Sequence, residues 1–229
     1  MKARLIFCFL LAPLLITSLS SCNHNSYLVT LGNFSDELVL KISEGLNRKC
    51  ISYFARPKMQ SGEVFKIVDS NASYYLDGKQ YPFFSIAEKA DFFIINVGMQ
   101  DFLPSMTIDV NNNILDYDYD LIEKQLEIFQ YHIYHTIEVI NDINSKAEIV
   151  LLSAYNDYLF EKPEQILFNS IVKQVNNELM EMTELKNVKY LSLVGFNEEI
   201  YQSDALDVND YIVKCLEGYK IWMMVKEIS

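Results

Sequence analysis

Several groups of residues in this sequence have types and spacings that chemistry could use. Ser35 follows the apolar run Tyr27–Leu31 through Gly32-Asn33-Phe34 and precedes Asp36. As a nucleophile it would need a base in contact and donors aimed at the developing oxyanion. The available histidines are His24, His132 and His135. His24 lies in a short polar stretch. His132, His135 and Glu138 fall at i, i+3 and i+6 of one helical pattern. Zinc needs at least three convergent protein ligands, and a solvated helix flank accounts for the same residues. Asp116-Tyr117-Asp118-Tyr119-Asp120, with Glu127 at the twelfth place, has the outline of a calcium loop. Leu121, however, stands where that loop needs glycine. An acidic helix start explains the run, and no metal or cofactor is expected.

Cys22 is the most distinctive of the four cysteines. Lys2 and Arg4 form a short basic start, and Leu5 to Ile16 is almost wholly apolar. This stretch is too short for a permanent span and reads as a secretory signal. Leu19-Ser20-Ser21-Cys22 then resembles a bacterial lipobox, which implies cleavage before Cys22 and lipid attachment to its thiol. The expected organisation is a signal peptide over 1–21, a lipid-anchored tether over 22–26 and a single domain over 27–229. The partner so implied is the membrane, on its extracytoplasmic face. In that oxidising setting Cys50 and Cys215 either pair or remain buried thiols.

Charge excludes other partners. The formal net charge is −12, and losing Lys2 and Arg4 deepens it by two. Phosphate binding needs clustered Lys and Arg, so no nucleic acid is expected. The same balance argues against peripheral adhesion to anionic lipid headgroups.

These residues must be positioned by alternating strands and helices. Tyr27–Leu31, Cys50–Phe54, Ala90–Val97, Ala147–Ala154 and Val188–Val194 read as strands. Ala90–Val97 has the continuous apolar character of a strand buried on both faces. Asp36–Leu46, Tyr119–Ile143, Pro163 to about Leu185, and Asp210–Ile228 carry apolar residues at helical spacing. Strands separated by helices imply parallel pairing and right-handed crossovers. The expected fold is therefore a three-layer α/β/α sandwich, flavodoxin-like, with five parallel strands. Ligands of such folds bind beyond the C-terminal strand ends. Gly32, Gly98, Asp101 and Asp210 are all expected at that end, around one cleft. The aromatic stretch Tyr74, Tyr75, Tyr81, Phe83 and Phe84 has no clear period and is either packed insertion or lid.

In order and spacing the loops beyond these strands resemble the SGNH, or GDSL, esterases and lipases, and their bacterial lipase-like branch most. The family's Gly-Asp-Ser block corresponds to Gly32-Asn33-Phe34. Its Gly-Gly-Asn-Asp block corresponds to Gly98-Met99-Gln100-Asp101, and Tyr155-Asn156 stands where the branch often has a Tyr-Asn pair. Its closing Asp-x-x-His and Gly-Tyr correspond to Asp210, Val213 and Gly218-Tyr219. The resemblance implies hydrolysis of ester-linked acyl or acetyl groups.

The departures from that pattern fall on the hallmark residues. The nucleophile position reads Phe34, the oxyanion glycine falls near Lys58, the oxyanion asparagine is Gln100, and the histidine is Val213. Phe34 cannot attack a carbonyl, and Val213 cannot accept a proton. Asp101 and Asp210 are left without the groups they would serve. The expected function is a cell-envelope binding or scaffold protein that has lost hydrolysis, with a glycan or acyl ligand. The alternative is an active esterase with Ser35 as nucleophile. For Ser35, a helix cap is the simpler role.

Overall fold

The computed structural model describes residues 27–109, 114–155, 162–193 and 209–218. The tether, Cys22 and His24 lie outside these residues, as do Asn156 and Tyr219.

Five parallel strands form one sheet. They are β1 (Tyr27–Gly32), β2 (Lys49–Ala55), β5 (Ala90–Asn96), β8 (Glu148–Leu152) and β9 (Val188–Leu191), in the spatial order β2-β1-β5-β8-β9. The expected α/β sandwich is thus the observed one. In β1 every residue after Tyr27 is buried, because helices cover both faces of this central strand.

On one face lie α1 (Asp36–Leu46) and the helical residues 209–218. Leu38, Ile42 and Leu46 of α1 pack there with Ile212 and Leu216. The other face carries α2 (Ser61–Asp69), α5 (Tyr119–Ile143) and α6 (Lys162–Glu181). Phe129, Ile133, Ile137 and Ile140 of α5 sit in that core with Phe168, Ile171 and Val175. Both α1 and α5 have the bounds their periodicity predicts.

Smaller elements were not anticipated. β3 (Ser73–Leu76) and β4 (Lys79–Pro82) form an antiparallel hairpin that runs into α3 (Phe83–Ala87). Tyr74 stacks on Tyr53 of edge strand β2, with ring centroids 4.4 Å apart. Phe83 is fully buried. The aromatic stretch is therefore packing along β2 and not a lid over the cleft. After α4 (Met99–Phe102) comes a second hairpin, β6 (Met106–Ile108) and β7 (Ile114–Tyr117), which leads into α5. Among the described residues no helix is long and apolar enough to cross a membrane. Cys50 and Cys215 are not joined in a disulfide, and burial pushes the Cys50 thiol up to about 11.

Candidate functional site

The strand order reverses direction between β1 and β5, and the loops beyond their C-terminal ends enclose the candidate site. Gly32 ends β1 at φ +104°, and a Cβ there would lie 2.2 Å from the Asn96 carbonyl oxygen. Only glycine lets the two strand ends come this close. The next residue locks the approach. Asn33 N donates to the Asn96 carbonyl at 2.7 Å, and Asn96 Nδ2 donates back to the Asn33 carbonyl at 2.7 Å. Lys58, at φ +63°, donates its backbone N–H to Asn33 Oδ1 at 2.8 Å. Gln60 Nε2 donates to the Gln100 carbonyl at 3.0 Å. The loops after β1, β2 and β5 are thus tied together by hydrogen bonds.

Little space remains between them. The cavity bordered by Asn33, Asn96, Gly98, Gln100, Ala154 and Tyr155 measures about 20 Å³, room for about one water molecule. Phe34 does not reach into it. Its side chain is 2% exposed and belongs to the core under α1, with Leu38, Leu193 and Ile212. Ser35 Oγ accepts the Leu38 N–H at 3.2 Å and caps α1. The hydroxyl is engaged as an acceptor at the helix start, where Asp36 and Glu37 also favour the dipole.

The closing block is where the expected positions need correction. Asp210 pairs with Lys41, Nζ to Oδ1 2.7 Å, on the flank of α1. A methyl group added at Gly45 would lie 2.8 Å from Val213 Cγ1. Gly45 is nine residues beyond Asp36, about 14 Å along the helix from the cleft end. Val213 therefore packs well down α1 from the cleft end, while Asp210 shares Lys41 with Glu37 of the first turn of α1. The segment that leads into this helix, 194–208, lies outside the described residues.

The middle of a helix that covers a sheet face would ordinarily lie well away from the strand ends. Yet Asn144, which caps α5, donates to the Ala90 carbonyl at 2.7 Å, so the helix ends level with the start of β5. Counting back from Asn144, His132 lies about 18 Å up the helix. Asn96 lies about 20 Å up the strand from Ala90. His132 is thus level with the end of β5, and it meets residues that sequence reasoning had not connected to it.

Those residues are Ser61 and Asp101. Ser61 opens α2 and is fully buried. Its Oγ donates to Asp101 Oδ1 at 2.6 Å, and its N–H reaches the same carboxyl at 3.0 Å. Its Oγ also lies 3.1 Å from His132 Nδ1. Burial pushes the Asp101 carboxyl up to about 6 against the lowering effect of these hydrogen bonds. Burial, and then Lys66, hold His132 below its ordinary value. The trio contains a serine, a histidine and an aspartate, but the serine bridges the other two. In a hydrolytic triad the histidine does so. With Ser61 inaccessible and its proton directed at Asp101, the trio ties α2, α4 and α5 together and presents no nucleophile. The signal that could have found it is the Gln60-Ser61-Gly62-Glu63 helix start, whose Gln60 and Glu63 form a capping box.

A wider groove of about 550 Å³ lies beside β7 and the start of α5, bordered by Asp116, Tyr117, Asp118, Tyr119 and Asp120. Asp118 Oδ1 caps α5 through the Leu121 N–H at 3.0 Å, and Asp116 Oδ1 accepts the Tyr117 N–H at 2.9 Å. The acidic run thus spans the end of β7 and the start of α5. No three such carboxyl, imidazole or thiol groups converge on a metal position among the described residues.

Comparison with solved structures settles the fold. The lipase Lip_vut3 from a goat rumen metagenome superposes with a TM-score of 0.60 at 16% identity, covering 84% of this chain and 96% of that one. A protein described as a GDSL-like lipase from Parabacteroides merdae gives 0.53 at 10% identity, covering 90% and 97%. The acetyl xylan esterase AlAXEase gives 0.54 at 9% identity, covering 84% and 98%. The fold is of the SGNH/GDSL hydrolase type. At these identities the likeness is one of architecture. No family model matches the sequence, and no curated protein does. Within this fold Gly32 and Gly98 shape the loops beyond β1 and β5, Asp101 lies in the short helix after Gly98, and Phe34 is a core residue.

Proposed function

We propose that this chain is a lipid-anchored SGNH-fold protein of the extracytoplasmic membrane face that binds or scaffolds envelope material and does not hydrolyse it. The observation that carries this reading is Phe34. Its side chain is 2% exposed, inside the core, at the position where the resemblance puts the nucleophile. Ser35, the neighbouring hydroxyl, is used as a helix cap. His132 contacts Ser61, which leaves Ser35 without a histidine base among the described residues. The partner proposed is a glycan or acyl chain of the envelope, met at the surface of the cleft.

Hydrolysis of a chromogenic short-chain ester by the purified chain tests this reading. Rates at background, unchanged by Ser35→Ala, are expected. Hydrolysis clearly above background, lost in Ser35→Ala while the circular dichroism spectrum is retained, would make Ser35 a nucleophile and overturn the proposal. The anchor is tested separately. Cys22→Ser should abolish incorporation of a radioactive fatty acid, and labelling that persists rejects the lipobox.

A further inference from the structure

We infer that the groove between the β6–β7 hairpin and the first turn of α5 binds a linear polyamine, an extended ligand carrying two or more ammonium groups. The inference is independent of the cleft and of the lipid anchor.

The groove measures about 550 Å³, within the range of small-molecule sites. Three carboxylates, Asp116, Asp118 and Asp120, border it together with Ser105, Thr107, Tyr117 and Tyr119. Among the described residues no lysine, arginine or histidine lines it. Asp109 and Glu123 flank it in sequence with further negative charge, and Lys124 is the one cation between Leu103 and Glu127. Lys124 lies a turn beyond Asp120 on α5, and no ion pair joins the two.

The hairpin aims these groups at one place. Thr107 is the cross-strand partner of Asp116, and such partners share a face. The Asp118 N–H donates to the Ser105 carbonyl at 3.0 Å, which sets those two residues side by side. Met106, between Ser105 and Thr107, is extended at φ −128° and ψ 142°. Its two neighbours therefore point to the same side of the hairpin. That side is the groove, where Thr107, Asp116 and Asp118 are exposed. Ser105 lies beneath them, 4% exposed, and its hydroxyl has no hydrogen-bond partner among the described residues. A buried hydroxyl without a partner costs free energy that a ligand in the groove recovers.

The walls select the ligand. Ionised carboxylates only accept hydrogen bonds, so the ligand must donate, and three of them repel an anion. A metal ion needs several groups converging on one point, and among the described residues no three do so. The carboxylates are instead strung along the groove, as ammonium groups are strung along a linear polyamine. Asp116 Oδ1 and Asp118 Oδ1 each accept a backbone N–H, which leaves the second oxygen of each for an ammonium. Tyr117 and Tyr119 are half exposed, and their rings offer faces for methylene packing and cation–π contact. A neutral saccharide would find hydroxyl partners here but would leave the negative charges uncompensated.

Isothermal titration calorimetry of spermidine into the full chain, purified in neutral detergent, tests the site. The buffer is held near physiological ionic strength, where exposed charges more than about 8 Å apart are largely screened. Saturable binding at one site is expected. Asp116→Asn/Asp120→Asn should weaken it about tenfold or more, the worth of a hydrogen bond to a charged group. Glu88→Gln/Glu184→Gln removes the same charge where β5 and β9 begin, at the other end of the sheet, and should leave the affinity unchanged. Thr107→Lys sets an ammonium in the groove with all three carboxylates intact, and should abolish binding while the circular dichroism spectrum is retained. Equal weakening by the two double variants would mean that spermidine condenses on the acidic chain as a whole, and would overturn the site. Undiminished binding in Thr107→Lys would overturn it too, as would saturable binding of calcium or of maltotriose with none of spermidine.

Discussion

Replacing Asp101 with asparagine should change how the domain's stability responds to pH. The carboxyl is pushed from 3.8 to about 6, chiefly by burial. An acid whose folded pKa lies above its unfolded value binds its proton more tightly when folded, so ionisation opposes folding. That penalty is absent below about 4, grows as pH rises, and is complete above about 6. A shift of this size corresponds to about 3 kcal/mol at 1.36 kcal/mol per unit. Asparagine keeps the shape and an acceptor for Ser61 but has no charge to bury. Any stability that Asp101→Asn loses at pH 4 should therefore be recovered by about 2–3 kcal/mol at pH 7. For a domain of this length each kcal/mol moves Tm by roughly 2–4 °C. His132 shares the Ser61 hydroxyl and is depressed, so its own contribution is lost as pH falls through its folded pKa. It is present in both chains and largely cancels in the difference. Thermal unfolding followed by circular dichroism across this range measures the gap. A gap that stays constant with pH would refute the reasoning, because it would mean that the Asp101 carboxyl ionises as easily folded as unfolded.

Three further outcomes follow from the cleft. Phe34→Ala should cost about 3–5 kcal/mol in urea unfolding, since the ring is fully packed; a loss under 1 kcal/mol would place it outside the core. Ser35→Ala should cost about 1 kcal/mol as a lost cap and leave ester hydrolysis at its wild-type level. Gly32→Ala should cost clearly more than Gly78→Ala, although both glycines have positive φ. At Gly32 a Cβ meets a carbonyl oxygen at 2.2 Å, while nothing lies within 4 Å at Gly78. Equal unfolding midpoints for the two variants would contradict this close approach of strands.

The elements legible in the sequence are those with long apolar periods. The stripe from Ile122 to Ile140 fixed α5, and Ser35 with Leu38, Ile42 and Leu46 fixed α1. α2 has nine residues, too few for a stripe to stand out, though its capping box was visible. The β3–β4 hairpin was signalled by Asp77-Gly78, a turn dipeptide, inside a stretch whose aromatics hide the alternation. The site was legible where glycines force the chain, at Gly32 and Gly98. It was not legible where helix register decides. Nothing local to Val213 says that it packs against Gly45, and nothing local to His132 says how far α5 extends past the sheet. Both depend on how one element is seated against another, which no short motif encodes.

The central place of β1 also sets an order on folding. Tyr27 pairs with Lys49 on one side and with Ala90 on the other. Parallel partners cannot be reached through a tight turn, so β1 stays incomplete until the chain has been made through β5. At roughly 5–20 residues per second, that wait is several seconds. Throughout it Leu28, Val29 and Leu31, all fully buried in the finished domain, belong to a strand with an unpaired edge. Such a strand is a template for other chains. Refolding yield should therefore fall as protein concentration rises, and a cell making this protein must shield its first strand before the rest of the sheet exists.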